Sequence, residues 1–476
     1  MRQANLAQFA IPGLAVAAAL LFISCSGGKS DGPSPAAQGA VDTSTIDPLK
    51  LIYWDRLNFY GGVVPEEAQA TFDAIAASGD LRFVPYLLDL AVLPAPFDVS
   101  IHKLLPGWIG PMGDFGTFSW VEQQGYRTPA DDTPEYLAFK HRLFSTIQPE
   151  LGAFIDPDAP HTISAQEILW GGVYVDGIPP LESPRMVSPA EASSWIRDGD
   201  QVIGIELNGD VRAYPRRIID WHEMVNDTVG GIPVSLAYCT LCNSAILYDG
   251  RHDGQVYRFG TSGMLYRSNK LMYDRATRTL WEQFSGEPVW GELAGKGIRL
   301  KALPVTHTTW AEWLAEHPTT KVLDINTGFE RDYGPGMAYA EYFDDPQLMF
   351  PAPDRSGPLQ PKDIVYVVRL DDALTAYPVK LLAERGFIED RIGDREVVVV
   401  ATADGSGGRA YDRRGLDFTS FDAPGRRLKS STGSVWIVTE TGLVGPGGET
   451  RERLPGHNSF WFSVLNHTRD GKLYGQ

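Results

Sequence analysis

The 476-residue chain carries 60 acidic against 42 basic side chains, and its net charge of −18 excludes a nucleic-acid partner and a surface that clings to anionic lipid. Its 43% hydrophobic content, with 12 Trp and 21 Phe, is ample for real cores, and the length suggests two or three domains. Three cysteines exclude a multi-disulfide framework in an exported protein.

At the N-terminus an apolar run over about residues 10–23 falls short of the roughly 20 apolar residues that a spanning helix needs. Pro12 and Gly13 interrupt its start, so residues 1–24 read as an export signal. Phe22-Ile23-Ser24-Cys25 resembles the lipobox of bacterial lipoproteins, with Phe22 in place of the usual leucine. The resemblance implies lipidation of Cys25, and Ser26 after it implies an outer-membrane anchor facing the periplasm. The membrane is then a partner through lipid alone. Residues 25–47 form a Gly/Ser/Pro tether with too little apolar surface to fold.

Residues 48–165 read as a helical region. "PEEAQATFDAIAASGDLRFVPYLLDLAVL" has helical spacing broken at a glycine, and "EYLAFKHRLFSTIQPE" continues it. "GWIGPMGDFGTFSW" (107–120) reads as a packed surface loop.

Beyond residue 165 the sequence repeats itself. Residues 199–249 lie over 362–412 without a gap, with eleven identities that include Ala213-Tyr214-Pro215 on Ala376-Tyr377-Pro378. "LPVTHTTWAEWL" echoes "LPGHNSFWFSVL", with His307 set opposite His457. We expect two tandem homologous modules, 166–330 and 331–476. In each, an Asn-Gly-type hairpin precedes a short helix, over 216–225 in the first copy and ended by Gly230-Gly231, and then further short strands. The fold class is α+β with mainly antiparallel sheets.

The copies share what the fold needs, so residues found in one alone are the better functional candidates. Opposite Cys239 and Cys242 stand Thr402 and Gly405, and opposite His222 stands Arg385. The blocks "HEMVND", "YCTLC" and "FGTSG" resemble the signature of the bacterial family catalogued as domain of unknown function 3179. That family has no established activity, so the resemblance implies only that His222, Cys239, Cys242 and the segment 259–281 belong to its signature.

Four chemistries suit Cys239-x-x-Cys242. Two thiolates converging from a tight turn bind a soft metal, copper or zinc, with His222 and Met272 as further ligands and His252, Asp227 or Glu223 as harder alternatives. The pair can instead cycle as a dithiol in a thiol–disulfide oxidoreductase. Cys239 with His222 as base gives a cysteine-hydrolase arrangement, in which the second thiol has no task. Last, the pair is structural and the protein is a non-catalytic binding module. Thr261, Ser262, Arg267 and Asn269 are candidate substrate contacts, set against a plain glycine hairpin. Whether the protein is an enzyme stays open at this point.

Overall fold

The computed structural model describes residues 42–53, 64–91, 98–109, 127–350, 352, 357–468 and 471–476. Cys25, the signal and the tether up to residue 41 lie outside the described residues, as does most of the 107–120 stretch. Among the described residues no helix is long and apolar enough to cross a membrane.

The helical spacing near the N-terminus becomes helices Glu66–Ser78, Val84–Ala91, Asp98–Ile109, Pro134–Ile147 and Pro149–Phe154. Gly79, at φ 61, stops the first in the left-handed conformation that glycine adopts freely. Pro134 opens the fourth behind a Thr133 cap on the Tyr136 amide. Lys140 reaches Asp89 at 2.5 Å inside this bundle, and the Tyr136 hydroxyl donates to the same carboxylate. An ion pair so deep loses in desolvation much of what it gains in Coulomb energy, so its main effect is to fix how the helices seat.

The first module opens with strands β1 (Gln201–Leu207) and β2 (Asp210–Pro215), joined by Asn208 and Gly209 at φ 49 and 78. Two successive positive φ values are what a tight hairpin turn requires. Strands β3 (Met224–Val229), β4 (Ile232–Cys239) and β5 (Ser244–Asp249) follow as an antiparallel meander. A second meander comprises β6 (Phe259–Tyr266), β7 (Asn269–Asp274), β8 (Leu280–Glu282) and β9 (Glu287–Trp290). The chain returns through Ala302–Leu303 beside β5, and β10 (Thr306–Thr309) pairs with β1.

The second module retraces this path. Strands β11 (Ile364–Leu370), β12 (Ala373–Pro378), β13 (Phe387–Ile392), β14 (Arg395–Ala401) and β15 (Gly408–Asp412) occupy the places of β1–β5, and β16 (Gly456–Phe460) that of β10. Partners agree residue by residue: Ile203 faces Tyr214 as Tyr366 faces Tyr377, and Tyr238 faces Ala245 as Ala401 faces Gly408. Each module also adds a parallel strand on its hairpin, Val322 on Ala213 and Leu473 on Ala376.

Two local expectations are corrected. The helix after Pro215 spans only Arg216–Ile219, because Glu223 turns left-handed (φ 54) and Met224 starts β3. Gly230-Gly231 therefore turns a hairpin and does not end a helix; the ladder to β4 decides against the helical spacing. The ladders also pair His307 with Ile203 but His457 with Val367. Since Val367 corresponds to Gly204, which faces Thr306, the counterpart of His457 is Thr306 and that of His307 is Asn458. The two imidazoles stand one residue out of register.

The modules share a core in which Val365, Val367 and Trp461 pack with Ala237, Ile246 and Trp281. The N-terminal helices close over the second meander of the first module, where Met264, Leu271 and Trp290 join Phe139 and Leu151.

Candidate functional site

Strand β4 delivers Cys239 into a single 3-10 turn, Thr240–Cys242, and Asn243 at φ 49 reverses the chain into β5. This turn is short enough to bring the sulfurs to 2.8 Å. Both cysteines are free thiols, 1% and 0% exposed. The Cys242 thiol donates to the Ser268 carbonyl at 3.4 Å. Burial, with the neighbouring Cys239 sulfur adding to it, pushes the Cys242 thiol well above its ordinary pKa.

The roof of the pair comes from elsewhere in the chain. Leu265, Phe460 and Phe462 pack around it, together with Tyr342 from the segment that precedes β11. The Tyr342 hydroxyl donates to the Leu241 carbonyl at 2.7 Å and so fastens helix Ala340–Asp344 to the cysteine turn. Lys270, also buried, donates to the Glu223 carbonyl at 2.8 Å and faces the Glu223 carboxylate at 3.4 Å. Burial lowers its pKa, while the charges of Glu223 and Cys239 oppose that shift, so its ammonium lies within electrostatic reach of Cys239.

Two thiolates on one tetrahedral zinc, at about 2.3 Å each, stand roughly 3.8 Å apart. A disulfide needs about 2.05 Å. The 2.8 Å contact of the two free thiols falls between these values.

The structure does not bring His222 to the pair. Its Nδ1 meets the Pro179 carbonyl at 2.7 Å and its Nε2 the Tyr333 hydroxyl at 2.6 Å. A carbonyl only accepts, so Nδ1 carries the proton and the Tyr333 O–H donates to Nε2. Burial lowers the His222 pKa to about 4, which keeps the ring neutral. Both nitrogens are thus engaged, and the ring packs against Phe329. Its two partners, Pro179 and Tyr333, lie outside the aligned stretches 199–249 and 362–412. Met272 is likewise apart, in the shared core with Trp281 and Ile246. Of the harder alternatives, Asp227 pairs with Arg212 at 2.7 Å, Glu223 with Lys270, and His252 sits by Asp253 on a separate hairpin.

The proposed substrate contacts are engaged inside the protein. Thr261 donates to the Ile178 carbonyl at 2.7 Å and Ser262 to the Leu271 carbonyl at 2.5 Å. Arg267 grips Glu167 with two nitrogens, at 3.0 and 2.7 Å, and also donates to the Asn466 carbonyl. Gly263, at φ 80, sits in a β-bulge where a Cβ would run into the Val173 carbonyl. The block lies in strand β6, paired with β7. Asn269 alone keeps a buried oxygen without a partner, while its amide donates to Ser463 at 3.3 Å.

Glu316, His317 and Glu440 are the one group of His, Cys, Asp or Glu among the described residues whose ligand atoms gather within 4.8 Å, and such a group could hold a metal ion. Its carboxylates are already committed. Arg409 holds Glu440 and Glu316 at 2.6 Å each, Arg426 faces Glu316 at 3.4 Å, and Arg453 faces Glu440 at 3.8 Å. A cation would have to displace these pairs, and nothing in the donor set selects copper or zinc. Sequence reading missed this cluster, although one signal was there: Arg409 fills the slot that the first copy gives to Ile246.

The family model described as protein of unknown function (DUF3179) matches residues 175–470, and the chain belongs to that family. No curated protein and no solved structure matches it significantly.

Proposed function

We propose that this family member is a lipid-anchored envelope protein whose Cys239–Cys242 pair works as a thiol–disulfide couple at the junction of the two modules. The observation that supports this reading above a metal site is the 2.8 Å sulfur separation, with neither His222 nor Met272 at hand as a further ligand. The anchor rests on the lipobox at Cys25. Lys270 donates to the Glu223 and Tyr238 carbonyls at 2.8 and 3.4 Å, and Tyr238 is the residue that precedes Cys239.

The exchange balances with a small-molecule disulfide as oxidant. The Cys239 thiolate attacks one sulfur of that disulfide and expels a thiolate. Cys242 then loses its proton, attacks the Cys239 sulfur of the mixed disulfide and expels the second thiolate. The protein gives up two electrons and two protons, and the small disulfide becomes two thiols. Burial limits direct access to small oxidants, so the role is that of a redox-responsive element more than a catalyst acting on protein substrates.

Intact-mass measurement after incubation with glutathione disulfide tests this. The expected result is loss of two hydrogens without an adduct, reversed by dithiothreitol, and a trapped glutathione adduct in Cys242→Ser. Two thiols that stay free under oxidant, or stoichiometric metal that is lost in Cys239→Ser, would sink the reading.

A further inference from the structure

A cavity of about 320 Å³ lies between the two modules, walled by Phe284, Leu300, Leu303 and Val305. That volume sits at the small end of pockets that enclose organic ligands. Its polar edge carries Arg299, Lys301, Arg369 and Arg395, beside Asp371 and a His457 ring that burial keeps neutral, its pKa lowered to about 3. Two of these have acidic partners, Arg299 with Glu287 and Asp372 and Arg395 with Asp412 and Glu452.

Arg369 has none among the described residues. Its Nη2 is buried with no hydrogen-bond partner, and its guanidinium rests 5.2 Å from the Phe284 ring centre. The acids nearby are taken, Glu282 by His467 at 2.5 Å and by Ser285 at 2.5 Å, and Glu287 by Arg299. His457, 9% exposed, also lacks a partner at Nε2, and its ring meets the edge of Phe284 at 5.5 Å. Buried polar atoms are nearly always satisfied, so two unpartnered nitrogens on one chamber, Arg369 Nη2 and His457 Nε2, mark a place prepared for something else.

Neither residue is demanded by the fold. The first copy puts Glu206 where the second has Arg369, an opposite charge in the same strand slot, and Thr306 where the second has His457.

We propose that this inter-module cavity binds a small organic anion, a carboxylate with a short apolar chain. The carboxylate meets Arg369 through the paired N–H geometry that guanidinium offers, His457 donates to it, and the chain lies along Leu300, Leu303 and Val305. This site stands apart from the cysteine pair and does not depend on its chemistry.

Calorimetric titration of the mature protein with hexanoate, hexanol, hexylamine and inorganic phosphate tests the proposal. Hexanoate is expected to bind at least tenfold more tightly than hexanol or phosphate, with no binding of hexylamine. Arg369→Gln should bring hexanoate down to the level of hexanol without lowering the melting temperature of the ligand-free protein. Absence of hexanoate binding, which would mean the chamber holds only water, overturns the proposal. So does equal binding of hexanoate and hexanol, equal binding of phosphate, or an Arg369→Gln protein that binds hexanoate like the parent. If that variant does not fold, the comparison of hexanoate with hexanol and phosphate on the parent protein decides.

Discussion

The two modules carry the same ties in the same places. Tyr214 donates to Asp227 at 2.8 Å and Tyr377 to Asp390 at 2.9 Å; Tyr248 donates to the Gln283 carbonyl and Tyr411 to the Thr439 carbonyl, both at 2.7 Å. Around these ties the modules differ in what covers them. In the first, β7 is buried at every position, with Leu271 and Tyr273 beneath the N-terminal helices and Met272 in the shared core. In the second, strand Val435–Val438 alternates exposed and buried, and Val435 and Ile437 face outward at 43% and 37% exposure. What both copies keep holds the fold. What one copy keeps belongs either to its own surroundings, as with His222, or, as we propose for the cysteine pair, to chemistry.

The strongest way to break this comparison is to cut the seam between the copies. Arg409→Met leaves Glu312, Glu316 and Glu440 without their shared cation, and a buried pair broken on one side typically costs 3–5 kcal/mol. Urea unfolding should show that loss in a single transition, since the copies share a core; two separated transitions would show that they fold as independent units.

A smaller effect separates the copies by pH. His222 is held neutral with its pKa lowered to about 4, so the unfolded chain takes up the proton first as pH falls through 6.5. Its contribution to stability is whole above that pH and drains away toward pH 4. His222→Gln should therefore lose about 1–2 kcal/mol less stability than the parent between pH 7.5 and 5, as read by urea midpoints at the two pH values. An unchanged pH dependence would mean that His222 is not buried neutral.

The smallest effect sharpens the reading of the cysteines. Cys239→Ala and Cys242→Ala should each cost about 1 kcal/mol, the value of roughly one buried methylene-sized group, because the second copy closes the same hairpin through Thr402 and Gly407 without sulfur. A variant that fails to fold would show that the thiols hold the first module together.

Much of this architecture was legible in the sequence. The repeat could be read because its first half runs without a gap, and the Asn208-Gly209 turn announces its hairpin by side-chain chemistry alone. The errors came where tertiary partners decide. His222 looked like a ligand because its real partners lie 43 and 111 residues away, in segments outside the repeat. His307 looked like the mate of His457, a one-residue slip that matters because neighbouring strand positions point to opposite faces. Thr261, Ser262 and Arg267 looked available to a ligand because the carbonyls and carboxylate that engage them are distant in sequence. The inter-module cavity could not be read at all, since its lining comes from both copies.

The tie from Tyr342 to the Leu241 carbonyl gives the cysteine pair a clock. Helix Ala340–Asp344 has one turn of its own and is held in part by Lys362, whose ammonium lies over the Tyr342 ring and donates to the Tyr342 and Asp345 carbonyls. The sulfurs are buried, and this short helix is one of the covers that must move before a reagent reaches them, together with Leu265, Phe460 and Phe462. When closing is faster than reaction, the rate of thiol labelling equals the opening equilibrium multiplied by the rate of the bare thiol. Labelling kinetics at the cysteine turn therefore count the openings of its cover, and any ligand that holds Tyr342 against Leu241 should be heard there as silence.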